Sequence, residues 1–490
     1  SDLNGLLEEG VEERDLDSDV VMQLLNPIVT SQRIMCSQFD NKYKRLQTMG
    51  DLGVLYDELF GFLYLKMGSG QQQLEQKILS ACRDFSRLIC GPDIQILRMD
   101  YEKSSLLRSI MKVWMQMQQE DQATHLEKVE YMLISRDSRN NIVKKMRESL
   151  KNLKEEPLFA HYHGLLFSEG KLLSVYSSRS SKDLSPRDLF HLRILGTQVT
   201  SSSCHLIYLT GTQNSCLPHI VFGYSITEKL TFLLAIEYDN SEVADVIFDT
   251  LTFLCKIHNY PLDADNIKQM IEKSDLAIKQ ILEALRGNKL AKVEAERMGK
   301  SVDMRWSGMK KKFSELAKNS SYREVTKFFE ASLPGLIDCL KLLFKALFFD
   351  TFPLLANNSL PLEVSLVLRS LLEELPSEAE QQKAAMKAYL DEYPGLIHFI
   401  FVDNTDGRII SPERNWDDTR LLSREKLFTT IDQMEKYKKK GRSSLILKSP
   451  ALSFSYFTWY EDECGQYLDP KDVPTAPENP TTSNYYQKIT

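Results

Sequence analysis

His161 and His163 are the pair of side chains in this sequence best spaced to share a metal ion, because alternate residues of a strand face the same side. A protein zinc site needs at least a third ligand. No His, Cys, Asp or Glu stands at a recognisable spacing from the pair, so the two histidines are expected to pack or to meet water. Gly164 to Lys171 has the outline of a phosphate loop, but it is one residue too long. Leu172 also stands where a Ser or Thr would hold Mg²⁺. Asp403 to Gly407 lacks the alternating oxygens and distal Glu of a calcium loop and reads as a plain turn. No Gly-x-Ser-x-Gly nucleophile elbow is present. The eight cysteines (Cys36, Cys82, Cys90, Cys204, Cys216, Cys255, Cys339, Cys464) include no Cys-x-x-Cys pair. Cys82, Cys255 and Cys339 fall in apolar helical patterns, as reduced core thiols of a cytoplasmic protein do. The expectation is therefore no catalytic residue, no cofactor-binding residue, no metal ligand and no cofactor. A chain of this kind works by binding.

Composition agrees with a globular binding protein. The 490 residues are 42% hydrophobic and 26% charged, with room for roughly three domains of ~150 residues. Between Ser1 and Val20 there are eight acids against Arg14, and this segment accounts for the whole net charge of −7. The rest is balanced, so no basic field points to nucleic acid. The acidic lead reads as a solvated segment. Lys310-Lys311-Lys312 and the run from Lys436 to Arg442 read as solvated helix faces, with contact to an anionic membrane surface as the alternative. Leu336 to Ala356 is apolar but holds Asp338, Lys341, Lys345, Asp350 and Pro353, and is not expected to span a bilayer. No signal peptide is apparent. The first residue is Ser1 rather than Met, as in a fragment of a longer chain.

The elements are organised around a C-terminal hairpin. Leu396 to Asp403 (LIHFIFVD) is an unbroken apolar run that suits a strand buried on both faces, and the turn ending in Asp406-Gly407 is a strong hairpin signal. A helix over Ser423 to Lys440 follows, capped by Gly441, and then strands at Ser443–Lys448 and Leu452–Tyr460. Phe399 and Phe457 are expected to share one core. At the other end, Ser18 opens a helix that Pro27 should bend or shorten. Strands are expected near Asn41–Leu46, Gly53–Leu59 and Phe60–Met67, then a helix ending at Gly91-Pro92. Lys103 to Lys154 reads as helical throughout.

The middle unit has strands at Leu158–Phe167 and Lys171–Ser177, a helix from Pro186, strands at His205–Thr210, His219–Ile226 and Leu230–Tyr238, and a helix from Ser241 to His258. Ala264 to Asp350 is helical again, interrupted by Gly287, Gly299, Gly308 and Asn319-Ser320-Ser321. So is Leu360 to Leu390, with a bend near Pro376. The pattern strand, strand, helix, three strands, helix is intact in the middle and partial at both ends. The sequence thus reads as three copies of one α+β fold.

Residues 172–190, 389–414 and 453–468 carry a resemblance, most specifically in Tyr393-Pro394-Gly395-Leu396-Ile397-His398-Phe399-Ile400 and Ser455-Tyr456-Phe457-Thr458-Trp459. These stretches resemble the Hermansky-Pudlak syndrome 1 protein family, tri-longin subunits of Rab exchange factors. The resemblance covers most of the chain, weakly over the first 150 residues and well from Tyr389 onward. It implies three longin domains, each a five-stranded antiparallel-type sheet with flanking helices. They would lie at 1–100, 157–260 and 391–490, joined by helical connectors at 101–156 and 261–390. It implies a heterodimer with a Hermansky-Pudlak syndrome 4-type longin partner subunit, in the biogenesis of lysosome-related organelles complex three. That complex acts as a guanine nucleotide exchange factor for a Rab small GTPase of melanosomes and related organelles. It also implies a cytoplasmic protein, recruited peripherally to endosomal or lysosome-related organelle membranes. The opening hairpin of the first domain, the closing helices of the third and the long Ser/Pro-rich insert of vertebrate members are absent. The missing insert points to an invertebrate relative. A membrane tether, sorting adaptor or Rab effector without exchange activity is the alternative.

Overall fold

The computed structural model describes residues 18–39, 44–47, 53–60, 62–68, 72–150, 161–179, 181–213, 215–238, 241–259, 264–285, 292–319, 322–353, 384, 386–388, 390–392, 395–403, 407–412, 423–438, 442–448, 453–458, 460–462 and 466–468. Helix α1 (Ser18–Phe39) precedes strands β1 (Arg45–Gln47), β2 (Gly53–Leu59) and β3 (Phe62–Gly68), then helix α2 (Gln72–Cys90). Helices α3 (Ile96–Met99), α4 (Tyr101–Glu120) and α5 (Gln122–His125) lead to the two-residue strand β4 (Val129–Glu130) and helix α6 (Arg136–Ser149). The middle of the chain forms β5 (Tyr162–Ser168), β6 (Lys171–Ser177), α7 (Pro186–Gly196), β7 (Ser202–Leu209), β8 (Leu217–Thr227), β9 (Leu230–Glu237) and α8 (Ser241–Asn259). Helices α9 (Ala264–Leu285), α10 (Lys292–Asn319) and α11 (Tyr322–Phe344) follow, the last running into a π-helical turn at Lys345–Phe349. The C-terminal region holds β10 (Phe401–Asp403), β11 (Arg408–Ile410), α12 (Arg424–Lys438), β12 (Ser444–Lys448), β13 (Ser453–Phe457), β14 (Tyr460–Glu461) and β15 (Tyr467–Leu468). The fold is mixed α+β with several antiparallel sheets.

Two compact units emerge. One comprises Ser1–Asp84, Asp249–Lys279 and Lys300–Lys341. Its antiparallel sheet β1-β2-β3 buries Val54, Leu55 and Tyr56, and Leu79 and Ala81 of α2 are buried in the same unit. Asp57 on β2 pairs with Arg83 at 2.6 Å, which fixes α2 to the sheet. Trp306, 3% exposed, donates its indole N–H to Asp275 at 3.0 Å and so ties α10 to α9.

The other unit comprises Phe85–Phe248, Gln280–Gly299 and Leu342–Thr490. Its centre is a five-stranded antiparallel sheet in the order β6-β5-β9-β8-β7. Every residue of β5 is buried, as is most of β8 and β9. Helix α7 is buried from Asp188 to Gly196. It starts with a capping box: Asp188 receives the Ser185 backbone N–H at 3.1 Å and returns its own to Ser185 Oγ, with Pro186 in the first turn. The carboxylate also accepts the Thr210 and Gly211 N–H groups at 2.7 and 2.8 Å, which fastens α7 to the end of β7.

The element order expected for the middle of the chain is found, with β5 beginning at Tyr162 and β7 at Ser202; residues 158–160 lie outside the described residues. Elsewhere the structure differs. Of the two effects expected of Pro27, a bend or a shortening, the shortening is not seen: helix α1 runs through Pro27 to Phe39. Gly299 and Gly308 lie inside the continuous α10. A Cβ at Gly299 would meet Leu285 Cδ1 at 2.9 Å, so this glycine serves the close approach of two helices and not a break. Helix α10 extends to Asn319 and α11 begins at Tyr322; Ser320, Ser321, Gly287 and most of the helix expected over Leu360–Leu390 lie outside the described residues. The stretch read as helical from Lys103 to Lys154 is divided by β4, with Asp121 capping α5. The doubly buried strand over Leu396–Asp403 is not formed. Only Phe401–Asp403 is strand, and Phe401 is 52% exposed, because among the described residues β10 pairs on one side alone. Phe399 and Phe457 do not share a core, since alternation along β13 turns Tyr456 inward and leaves Phe457 63% exposed.

Candidate functional site

The site is built where α5 and β4 meet the C-terminal hairpin. Asp121, the N-cap of α5, accepts the backbone N–H and the hydroxyl of Thr124 at 2.8 and 2.6 Å. Arg193 reaches it from α7, only 4% exposed, with Nη2 at 2.8 Å from the carboxylate. The same guanidinium donates Nε to the Gly170 carbonyl at 2.7 Å and Nη1 to Thr124 Oγ1 at 2.9 Å. One planar fork therefore pins three segments. Burial would raise the Asp121 carboxyl, but Arg193 and Thr124 hold it below the usual range.

Strand β4 then works as a splice. Its Val129 N–H donates to Gly407 at 3.1 Å and the next amide but one, Tyr131, to Ile409 at 2.9 Å, in parallel register with β11. On its other side Met132 N–H donates to Leu172 of β6 at 3.0 Å, and Tyr131 bridges Leu172. The hairpin β10–β11 is thus carried at the β6 edge of the central sheet. The Tyr131 ring takes a guanidinium from Arg139 at 4.6 Å and another from Arg408 at 4.7 Å. Gly407, with φ of 66°, sits against Pro186 of α7, whose Cα would lie 3.0 Å from any added Cβ.

Polar side chains line the splice. His398 Nε2 lies 2.9 Å from Gln122 Oε1, the Gln122 amide donates to Ser411, and Ser411 lies 3.4 Å from Glu130. Glu130 pairs with Lys171 at 3.2 Å, and burial keeps its carboxyl above the usual value against the pull of that lysine. His125 contacts Asp432 of α12 at 3.0 Å and stacks on Phe428, with centroids 4.5 Å apart. Leu427, Phe428 and Ile431 complete the contact with Leu126 and Ile400. Beyond this core, β12 and β13 pair so that Ile446 lies opposite Ser455 and Phe457 opposite Ser444. These residues form an outward face on which Ile446 and Phe457 are 58% and 63% exposed. Phe401 on β10, in a separate sheet, is also exposed. Such a face can be buried against another protein at about 25 cal/mol per Å² of apolar surface.

None of the β4 splice was foreseen. The available signals were Asp121 three residues ahead of Thr124, which is an N-cap spacing, and Val129-Glu130-Tyr131, a β-favouring run inside helical text. The residues weighed as chemistry are placed as follows. His163 is 1% exposed and bonds Ser177 Oγ at 2.8 Å, while His161 precedes β5. Among the described residues no group of three or more His, Cys, Asp or Glu side chains is placed to hold a metal ion. Gly164–Lys171 is strand β5, a Glu169-Gly170 turn and the start of β6, its amides taken up in the ladder rather than turned on a phosphate. Lys310 is engaged by Asp275 at 2.7 Å and Lys312 faces Glu315 at 3.6 Å. Among the described residues no helix is long and apolar enough to cross a membrane. A scan of the sequence against models of protein families finds no match.

Proposed function

We propose that this chain is a regulatory subunit, without bond chemistry of its own, of a heterodimeric guanine nucleotide exchange factor for a Rab GTPase in lysosome-related organelle biogenesis and vesicle trafficking. The observation that supports this reading is the five-stranded antiparallel sheet of residues 162–237, with α7 between its second and third strands and α8 after its fifth. That arrangement suits the longin domain implied by the resemblance of residues 172–190. In the same reading the partner is a Hermansky-Pudlak syndrome 4-type longin subunit, and the complex is cytoplasmic and recruited peripherally to endosomal or lysosome-related organelle membranes.

An exchange factor without catalytic side chains acts by binding the nucleotide-free GTPase better than the nucleotide-bound one. The coupling is reciprocal: the factor by which the complex weakens GDP is the factor by which GDP weakens the complex. Accelerating release a thousandfold takes about 4 kcal/mol of differential binding, the size of a few lost charge-assisted contacts to Mg²⁺ and phosphate. The test is stopped-flow release of fluorescent GDP from Rab GTPases, with this chain and its longin partner together and apart. Faster release by the pair, with the pair held by the apo Rab and freed by added nucleotide, is expected. Preference for a GTP-locked Rab with an unchanged GDP off-rate would instead mark an effector, tether or sorting adaptor.

A further inference from the structure

Four of the chain's eight histidines lie in register on one face of the central sheet. His163 stands opposite Ala235, Ala235 opposite Val221, and Val221 opposite His205. One row further on, His161 accepts the Glu237 N–H, and Glu237 stands opposite His219. His163 and His219 are 1% and 2% exposed, with ring centroids 6.1 Å apart. His219 Nδ1–H donates to the Leu217 carbonyl at 2.9 Å, which leaves Nε2 as the atom that would take a proton. The two rings differ in their neighbours. His163 has Ser177 on β6 and the histidines His161 and His219 around it, with no carboxylate among the groups acting on it. His219 has the Glu237 carboxylate across the ladder on β9 and Asp188 on α7, opposed by Lys182 in the loop before α7. Glu237 is itself 5% exposed. It accepts a hydrogen bond from the Oγ of Ser241, the first residue of α8, and lies 4.0 Å from Lys182 Nζ.

We propose that this face is an acid-sensitive switch in which a proton taken up at His219 Nε2 draws Glu237 away from Ser241 and loosens the start of α8. An imidazolium–carboxylate pair, ionised on both sides, is stronger than the hydroxyl–carboxylate bond it competes with, which is ionised on one side alone. The α8 terminus then loses the carboxylate that anchors its first residue. Burial delays the event to below the ordinary imidazole range, and a charge at His219 makes one at His163 harder to place.

Amide exchange followed by mass spectrometry on the whole chain, corrected for the intrinsic pH dependence of exchange, tests this. Protection of residues 241–248 should fall about tenfold between about pH 7.5 and about pH 4.5, while that of β8 is kept. In Glu237→Gln, which can still accept from Ser241 but has no charge to offer His219, the fall should shrink to less than about twofold. Unchanged protection in the natural chain, or an equal fall in Glu237→Gln, would overturn the switch. If that variant does not fold, an NMR titration of the natural chain decides. His219 should take up its proton before His163, with the Ser241 amide shifting at the same midpoint. A single midpoint shared with global unfolding would overturn it.

Discussion

Arg193 shows how much of this molecule rests on single polar side chains. Its fork satisfies Asp121, Thr124 and Gly170 at once, and its removal would leave the Asp121 carboxylate inside with its main counter-charge gone. Arg193→Ala should therefore cost about 3–5 kcal/mol in urea or thermal unfolding. Arg193→Lys keeps the charge without the fork and should recover only part of that loss. His163 makes the complementary case of a group held neutral. Burial, with His219 and His161 nearby, lowers it from 6.5 to about 3. The folded chain thus refuses a proton that the unfolded chain accepts. The stability contributed is full above about pH 6.5 and drains away as pH falls toward about 3, by up to about 1.4 kcal/mol per pH unit. His163→Gln should flatten the slope of unfolding free energy against pH in that window, and an unaltered slope would show that other groups set it.

At the scale of elements, the decisive piece is a strand of two residues. β4 carries the β10–β11 hairpin on one side and meets β6 on the other, so perturbing the hairpin should be felt at Val129–Tyr131. Gly407→Ala places a methyl group against Pro186 at a left-handed backbone position. It is expected to cost about 1–3 kcal/mol and to speed amide exchange at Tyr131. The C-terminal aromatics should separate by face and not by type. Phe428, 8% exposed beneath His125, should cost about 3–5 kcal/mol on truncation to Ala. Phe457, 63% exposed, should cost less than about 1 kcal/mol. Equal losses at the two positions would mean that β13 faces the other way.

For the whole molecule, the outward face of β12–β13 has a consequence in solution. Exposed apolar residues beside strand edges that pair with no further strand among the described residues favour association. Sedimentation velocity on the isolated chain should show mass rising with concentration. The double substitution Ile446→Ser with Phe457→Ser should reduce that rise without lowering the unfolding midpoint. A monodisperse monomer at all concentrations would remove this face from consideration as a contact surface.

What the sequence determined by itself is the local and periodic part of the protein. Apolar alternation, the Ser185–Asp188 capping box and the Glu169-Gly170 turn are each local signals spanning a few residues, and they mark out β5, β6, α7, β8, β9 and α8. The same holds for the reading of Gly164–Lys171 as something other than a phosphate loop. Which apolar run is buried, and on how many sides, was decided only by the tertiary structure. Leu396–Asp403 reads like a core strand, yet only Phe401–Asp403 is strand and it lies at the edge of the described sheet, because what matters is whether a second neighbour pairs with it. Likewise Tyr456 and Phe457 are equivalent by composition, and only the placement of β13 makes one face inward and the other out. The β4 splice and the fork of Arg193 join residues far apart in the chain, through hydrogen bonds that no spacing rule describes. The histidine pair is of the same kind: His163 and His219 come together because β5, β9 and β8 share one register, a fact that belongs to the sheet and to no segment of the sequence.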